Sequence, residues 1–241
     1  GWLLVLAGLV AVVPFWRYEA EIAEPIVDVR LLARPTQWPV QLTAFLFGIP
    51  VLGGQIPLST FAQADPAQRG YGLGASSSFV STLIGVYVIT LAIGAFTLPL
   101  TTRLLGVRRA LVVACCLVGL GYALWLPFHD TTVQALVNMA VAGIGSGALV
   151  ASLPASAAAA APPERTSFAT GMTNATKTVG GAIASAVFAI ALKATGSIDG
   201  SGQAHAPLSG YLTVWAVCAA AALLAAVALF AAPKDAFSDP A

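Results

Sequence analysis

Apolar residues gather along this chain in seven long runs, and nearly every charge falls in the gaps between them. A helix needs ~20 apolar residues to cross the hydrocarbon of a bilayer. Six of the runs meet that length, over residues 39–58, 79–100, 110–128, 133–153, 168–192 and 211–232. The seventh, residues 1–16, is shorter and begins at once from Gly1. No basic segment precedes it and no small-residue cleavage pattern follows it, so it is a poor signal peptide. It reads as the end of a spanning helix, and the chain as the C-terminal part of a longer polypeptide with a missing N-terminal half. Residues 17–38 form a polar connector in which Pro25 and Pro35 bracket a stretch suited to a short interfacial helix, with Ile26, Val29, Leu32 and Ala33 on one face. Residues 39–232 form a six-helix transmembrane bundle, and 233–241 a polar tail. The expected fold is an all-α membrane protein.

Composition strengthens that reading. Hydrophobic residues make up 58% of the chain and charged ones 9%, against roughly a quarter charged in soluble domains. A net charge of +1 gives no electrostatic footprint for nucleic acid. Cys115, Cys116 and Cys218 have no CxxC or metal-ligand spacing and read as buried small hydrophobes.

The basic residues orient the spans. Successive gaps alternate sides, which puts Arg17, Arg30, Arg34, Arg103, Arg108, Arg109, Arg165 and Lys234 on one side and Arg69 and Lys193 on the other. By the positive-inside rule the first group is cytoplasmic. Asp65, His129 and His205 then face outside, and both histidines read as solvated loop residues. The six spans divide into two groups of three with opposite orientation, the plan of an inverted repeat, although sequence similarity between the halves is weak.

All ten acids lie in connectors or tail, so no span carries a carboxylate for proton coupling. No Ser-His-Asp set, metal-ligand cluster or phosphate loop is present. What remains are polar side chains inside the spans: Gln41 and Gln55 in the first, Tyr87 and Thr90 in the second, Asn138 in the fourth, and Asn174, Lys177 and Thr178 in the fifth. These are the candidates for a substrate cavity, with Phe45, Phe47, Phe79, Tyr87 and Phe188 as possible aromatic walls. Helix–helix packing uses the same small and polar residues, so both readings stand for each.

Four segments carry a family resemblance. PERTSFATGMTNATKTVGGAIASAVFA (163–189) resembles the junction of the tenth and eleventh helices in exporters of the major facilitator superfamily. AEPIVDVRLLARP (23–35) resembles the connector before the seventh core helix of its fourteen-helix drug:proton antiporter branch. GYGLGASSSFVSTLIG (70–85) is similar to the entry of the eighth core helix, especially in actinobacterial members. TTRLLGVRR (101–109) is similar to the basic cytoplasmic loop in Gly106, Arg108 and Arg109, which the resemblance implies are gating residues. Arg103 stands where that loop carries an acid, and Lys177 where relatives commonly have Arg. The resemblance implies alternating-access export of amphiphilic small molecules across the cell membrane, with the proton as coupling ion and no other cofactor. It places the first, second, fourth and fifth spans around the cavity, and the proton-carrying acids in the first half. The bilayer, a small-molecule substrate and that first half are the implied partners. A membrane-embedded transferase and a non-transporting sensor or scaffold are the alternative readings.

Overall fold

Local capping sets the helix starts. Ser76 accepts the Phe79 N–H (3.2 Å). Thr131 and Gln134 form a reciprocal capping box, so a polar turn converts directly into a spanning helix. In the computed structural model, which describes residues 2–22, 25, 27–194, 196–198 and 204–231, these starts lead into long helices. In order they are α1 (Trp2–Glu21), α2 (Val29–Leu32), α3 (Trp38–Gly48), a π-helical turn (Ile49–Gly53), α4 (Gln55–Gln63) and α5 (Pro66–Arg69). There follow α6 (Ser77–Leu105), α7 (Val107–Leu124), α8 (Thr132–Ala159), a 3-10 turn (Pro163–Arg165) and α9 (Thr166–Ala194). The strands β1 (Ser197–Ile198) and β2 (Ala204–His205) then form a two-residue antiparallel ladder before α10 (Leu208–Ala231). Among the described residues, six helical segments are long and apolar enough to cross a membrane: Trp38–Gln63, Ser77–Leu105, Val107–Leu124, Thr132–Ala159, Pro163–Lys193 and Leu208–Phe230. They match the six expected runs in number and order.

The connectors depart from expectation in three places. The short helix α2 starts at Val29, capped by Asp28 accepting the Leu31 N–H (2.9 Å). It buries Val29 and Leu31 rather than the Val29–Leu32–Ala33 face, and Ile26 lies outside the described residues. His129 is not solvated: its side chain is 15% exposed, and Nδ1 lies 3.0 Å from the Trp125 carbonyl. Cys115 and Cys218 are buried but Cys116 is exposed, because adjacent helical residues point about 100° apart. The tail 233–241 lies outside the described residues, as does the side chain of His205.

Contacts separate the two ends of the bundle. At one end Arg108 donates to the Leu229 carbonyl (2.9 Å), Gln37 donates to the Ala157 carbonyl (2.7 Å), and Arg165 lies 4.0 Å from Asp28. This basic end also carries exposed Arg103 and Arg109. At the opposite end Phe61 is ringed by Trp215 (4.8 Å between centroids), Tyr211 (5.4 Å), Tyr71 (5.9 Å), Trp125 and His129 (both 6.1 Å). These rings tie α4, α7 and α10 together beneath the glycine-rich connector.

An internal two-fold governs the packing. α3 lies on α9 and α10, α8 lies on α6 and α7, and α7 meets α10. The first helix of each triple thus crosses the second helix of the other. Glycines mark both crossings. A Cβ on Gly147 would stand 1.8 Å from the Leu91 carbonyl oxygen, and one on Gly94 1.9 Å from that of Ile144. At the other crossing a Cβ on Gly48 would stand 2.0 Å from the Lys177 carbonyl oxygen, and one on Gly180 2.1 Å from that of Phe45. One constant sequence offset carries Phe45 and Gly48 to Ile144 and Gly147. A second carries Leu91 and Gly94 to Lys177 and Gly180. Backbone approach at this range is how helices associate where lipid removes the hydrophobic drive.

The first span is broken. Pro50 has no N–H to donate, and the chain makes a π turn over Ile49–Gly53. Tyr122 of α7, fully buried at its ring end, donates to the Pro50 carbonyl (2.6 Å). A Cβ on Gly53 would meet Ala184 at 2.6 Å, so the turn lies directly on α9.

Candidate functional site

The second and fifth spans, α6 and α9, are the least buried of the six, with half or more of the others covered. The open face of α9 divides in two. Val179, Ile183, Val187 and Ile190 are exposed on one strip. Ser167, Gly171, Asn174, Thr178 and Ala182, all exposed, run beside it at helical spacing with half-buried Lys177 and Ser185. An all-apolar strip suits lipid. The small and polar strip does not.

Lys177 anchors that strip. It lies ~16 Å along α9 from Thr166, at 1.5 Å per residue. Its Nζ donates to Asn174 Oδ1 (3.1 Å), and the Thr178 hydroxyl donates to the Asn174 carbonyl (2.8 Å). An ammonium has three donors, and this is the one hydrogen bond it makes among the described residues. An unpaired cation at a helix centre is unfavourable by ~2.5–3.5 kcal/mol on insertion scales, less near an interface. Beside it, α3, α8 and α9 line a small open cleft with room for about one water molecule. Ala44, Phe47, Leu149, Val150, Leu153 and Pro154 make its apolar floor, and Thr173, Asn174 and Lys177 its polar edge.

The internal two-fold identifies what packing alone demands here. The offset that takes Gly94 to Gly180 takes Val88, Leu91 and Ala92 of α6 to Asn174, Lys177 and Thr178 of α9. The same backbone crossing is therefore made with three apolar side chains in one triple and three polar ones in the other. Packing does not require the polarity of α9.

The other candidates sit elsewhere. Gln41 is buried between α3 and α9, where Oε1 accepts from Thr176 Oγ1 (3.1 Å) and Nε2 has no partner. Gln37, one turn earlier, leaves Oε1 unpartnered. Gln55 donates to the Val51 carbonyl (3.1 Å), satisfying a group in the π turn. Tyr87 is buried beside Ser146 of α8, its hydroxyl out of hydrogen-bond geometry. Thr90 bonds the Val86 and Tyr87 carbonyls (2.9 and 3.0 Å) where it faces Gly143. Asn138 is 2% exposed and donates to the Phe128 carbonyl (2.7 Å), so it fastens the α7–α8 turn. The geometry thus gathers Asn174 and Lys177 with Phe47, sets Thr178 beside them on the open strip of α9, and leaves Gln55, Tyr87, Thr90 and Asn138 in helix packing. Phe188 is likewise buried against the Gly53 turn. Thr173 is the cleft residue that sequence reasoning missed. Its hydroxyl bonds the Thr170 carbonyl (2.8 Å), and its place one turn before Lys177 was the available signal.

In the basic loop, Gly106 has φ +79°, which favours glycine. Arg108 caps the C-terminal turn of α10 and lies 5.9 Å from the Phe230 ring centroid. A cation there complements the helix dipole. Arg109 is exposed.

A family model described as Major Facilitator Superfamily matches residues 42–240. The chain belongs to this superfamily. Among solved structures it is similar to the inward-open xylose transporter XylE from E. coli, with 18% identity and a TM-score of 0.61 over 81% of this chain and 47% of that one. The partially occluded inward-open form of XylE gives 18% and 0.60 over the same shares. A mutant of the nucleoside transporter NupG gives 20% identity and 0.61 over 80% and 47%. At these identities the likeness is one of fold. The chain spans a little under half the length of these structures. No curated protein matches the sequence directly. The superfamily and the six apolar spans make the chain part of a multi-pass membrane protein.

Proposed function

We propose that this chain is the C-terminal six-helix half of a secondary active transporter of the drug:proton antiporter branch, exporting amphiphilic small molecules across the cell membrane. The observation that carries the reading is the open polar strip of α9 beside the apolar cleft on Phe47, Leu149 and Leu153. The cleft edge offers three polar side chains, few for a polyhydroxylated ligand and enough to orient an amphiphile. The family and its structural neighbours favour transport over the transferase and scaffold alternatives. The exposed faces of α6 and α9 pack against a second six-helix unit of the same polypeptide, and the two rock about the site. The basic end faces the cytoplasm. The proton as coupling ion rests on the resemblance, since no span here carries a carboxylate.

The test is flux in vesicles reconstituted with the full-length protein. An imposed pH gradient is expected to drive accumulation of an amphiphilic dye, and this chain alone is expected to drive none. Xylose or nucleoside uptake with no dye flux at any gradient overturns the export reading.

A further inference from the structure

We infer that Lys177 and Asn174, with the adjoining cleft between α3, α8 and α9, form a subsite for the anionic head of an amphiphile. This names the substrate class for the site proposed above and rests on that reading. Four observations converge on it. Lys177 lies well inside a span, yet no described residue supplies it a counter-ion, and all ten acids of the chain lie outside the spans. Asn174 occupies one of its three donors and leaves two for a ligand. Phe47, Leu149, Val150 and Leu153 line the same small cleft as Lys177, so a head held at the ammonium has apolar side chains beside it for the first carbons of its tail. Finally, the two-fold partners of Lys177 and Asn174 are Leu91 and Val88, so the equivalent crossing is built without a charge and helix packing does not account for the lysine.

The chemistry needed is one negative oxygen group, a carboxylate, sulfonate or phosphate, on an apolar body. A carboxylate gives two acceptor oxygens to the two open ammonium donors, while the Asn174 amide nitrogen adds a donor at the edge. A cationic amphiphile of the same length would meet Lys177 with like charge. A free amphiphile and an anionic phospholipid share this chemistry, and the test separates them.

The full-length protein is placed in phosphatidylcholine nanodiscs, with empty discs as blank, and titrated with radiolabelled decanoate and decyltrimethylammonium. Saturable decanoate binding at least tenfold tighter than the cationic homologue is expected. Lys177→Gln should weaken it at least tenfold, Asn174→Ala several-fold, and Lys177→Arg should restore it to within a few-fold of the parent. A monodisperse size-exclusion profile establishes that each variant is folded. Phosphatidylglycerol retained through purification by the parent, lost in Lys177→Gln and not displaced by decanoate identifies lipid as the source of the head. Decanoate binding equal in the parent and Lys177→Gln overturns the subsite, and so does rescue of Lys177→Gln by nothing but removal of a carboxylate elsewhere in the polypeptide. The two readings fail separately. Intact decanoate binding with no gradient-driven flux sinks the transporter, and dye flux with no Lys177-dependent binding sinks the subsite.

Discussion

Replacing Gly147 by alanine tests the two-fold frame at its tightest point. The new Cβ would stand 1.8 Å from the Leu91 carbonyl oxygen. A C–H···O contact needs ~3.3 Å, so α6 and α8 must part by about 1.5 Å. The obstacle is backbone, which has no rotamer to change. Overpacking typically destabilises by ~1–3 kcal/mol, and a rigid neighbour puts this case at the upper end. Alanine returns up to ~1 kcal/mol of helix propensity. The net loss is ~2 kcal/mol, roughly a 30-fold fall in the folded-to-unfolded ratio. Gly48→Ala, at 2.0 Å from the Lys177 carbonyl oxygen, should lose a similar amount, because it is the two-fold mate of Gly147. Gly85→Ala, with nothing within 4 Å, should lose nothing. Thermal melting of the full-length protein in detergent, followed with a thiol-reactive dye, reads exposure of buried Cys115 and Cys218. A Gly147→Ala protein that melts with its parent, or a Gly85→Ala protein that falls as far, refutes the reasoning.

Tyr122→Phe removes the donor from the buried Pro50 carbonyl and should destabilise by ~1–3 kcal/mol; hydrogen exchange that rises in the Ile49–Gly53 turn would locate the loss there, and unchanged melting and exchange would contradict the role. Labelling with a membrane-impermeant thiol reagent tests orientation in a cysteine-free background. Arg109→Cys should react only from the cytoplasmic side and Asp65→Cys only from outside, and the reverse pattern would invert the topology.

The six spans were legible because each is an apolar run bounded by polar residues. Their ends were less so. Ser77–Leu105 and Thr166–Ala194 continue past the runs seen at 79–100 and 168–192, since capping serines and threonines extend a helix without adding hydropathy. The break at Ile49–Gly53 was unread, although Pro50, Gly53, Gly54 and Pro57 all signal it. Within the site, Asn174, Lys177 and Thr178 stood out as polar residues in an apolar run. Asn138 and Thr90 stood out equally, and yet they bond nearby backbone carbonyls. A polar side chain that faces a cavity and one that closes a turn look alike along a sequence. The two-fold was expected from the alternation of the spans, but its residue-by-residue equivalence was hidden for a different reason. It is written in four glycines and the carbonyls they touch, so unrelated side chains surround equivalent backbone.

An inverted repeat lets a bundle exchange inward- and outward-facing shapes by letting each triple adopt the conformation of the other. Were the triples chemically identical, those two shapes would have equal energy. Lys177 opposite Leu91 is one of the differences that remove that degeneracy. On the transport reading proposed above, the ammonium enters different surroundings in each shape and so contributes to the resting preference of the empty carrier. A ligand that neutralises the ammonium changes that preference only by its differential affinity for the two shapes. On that reading, the lysine is one of the side-chain differences between the triples that bias the cycle, besides the contact proposed for it.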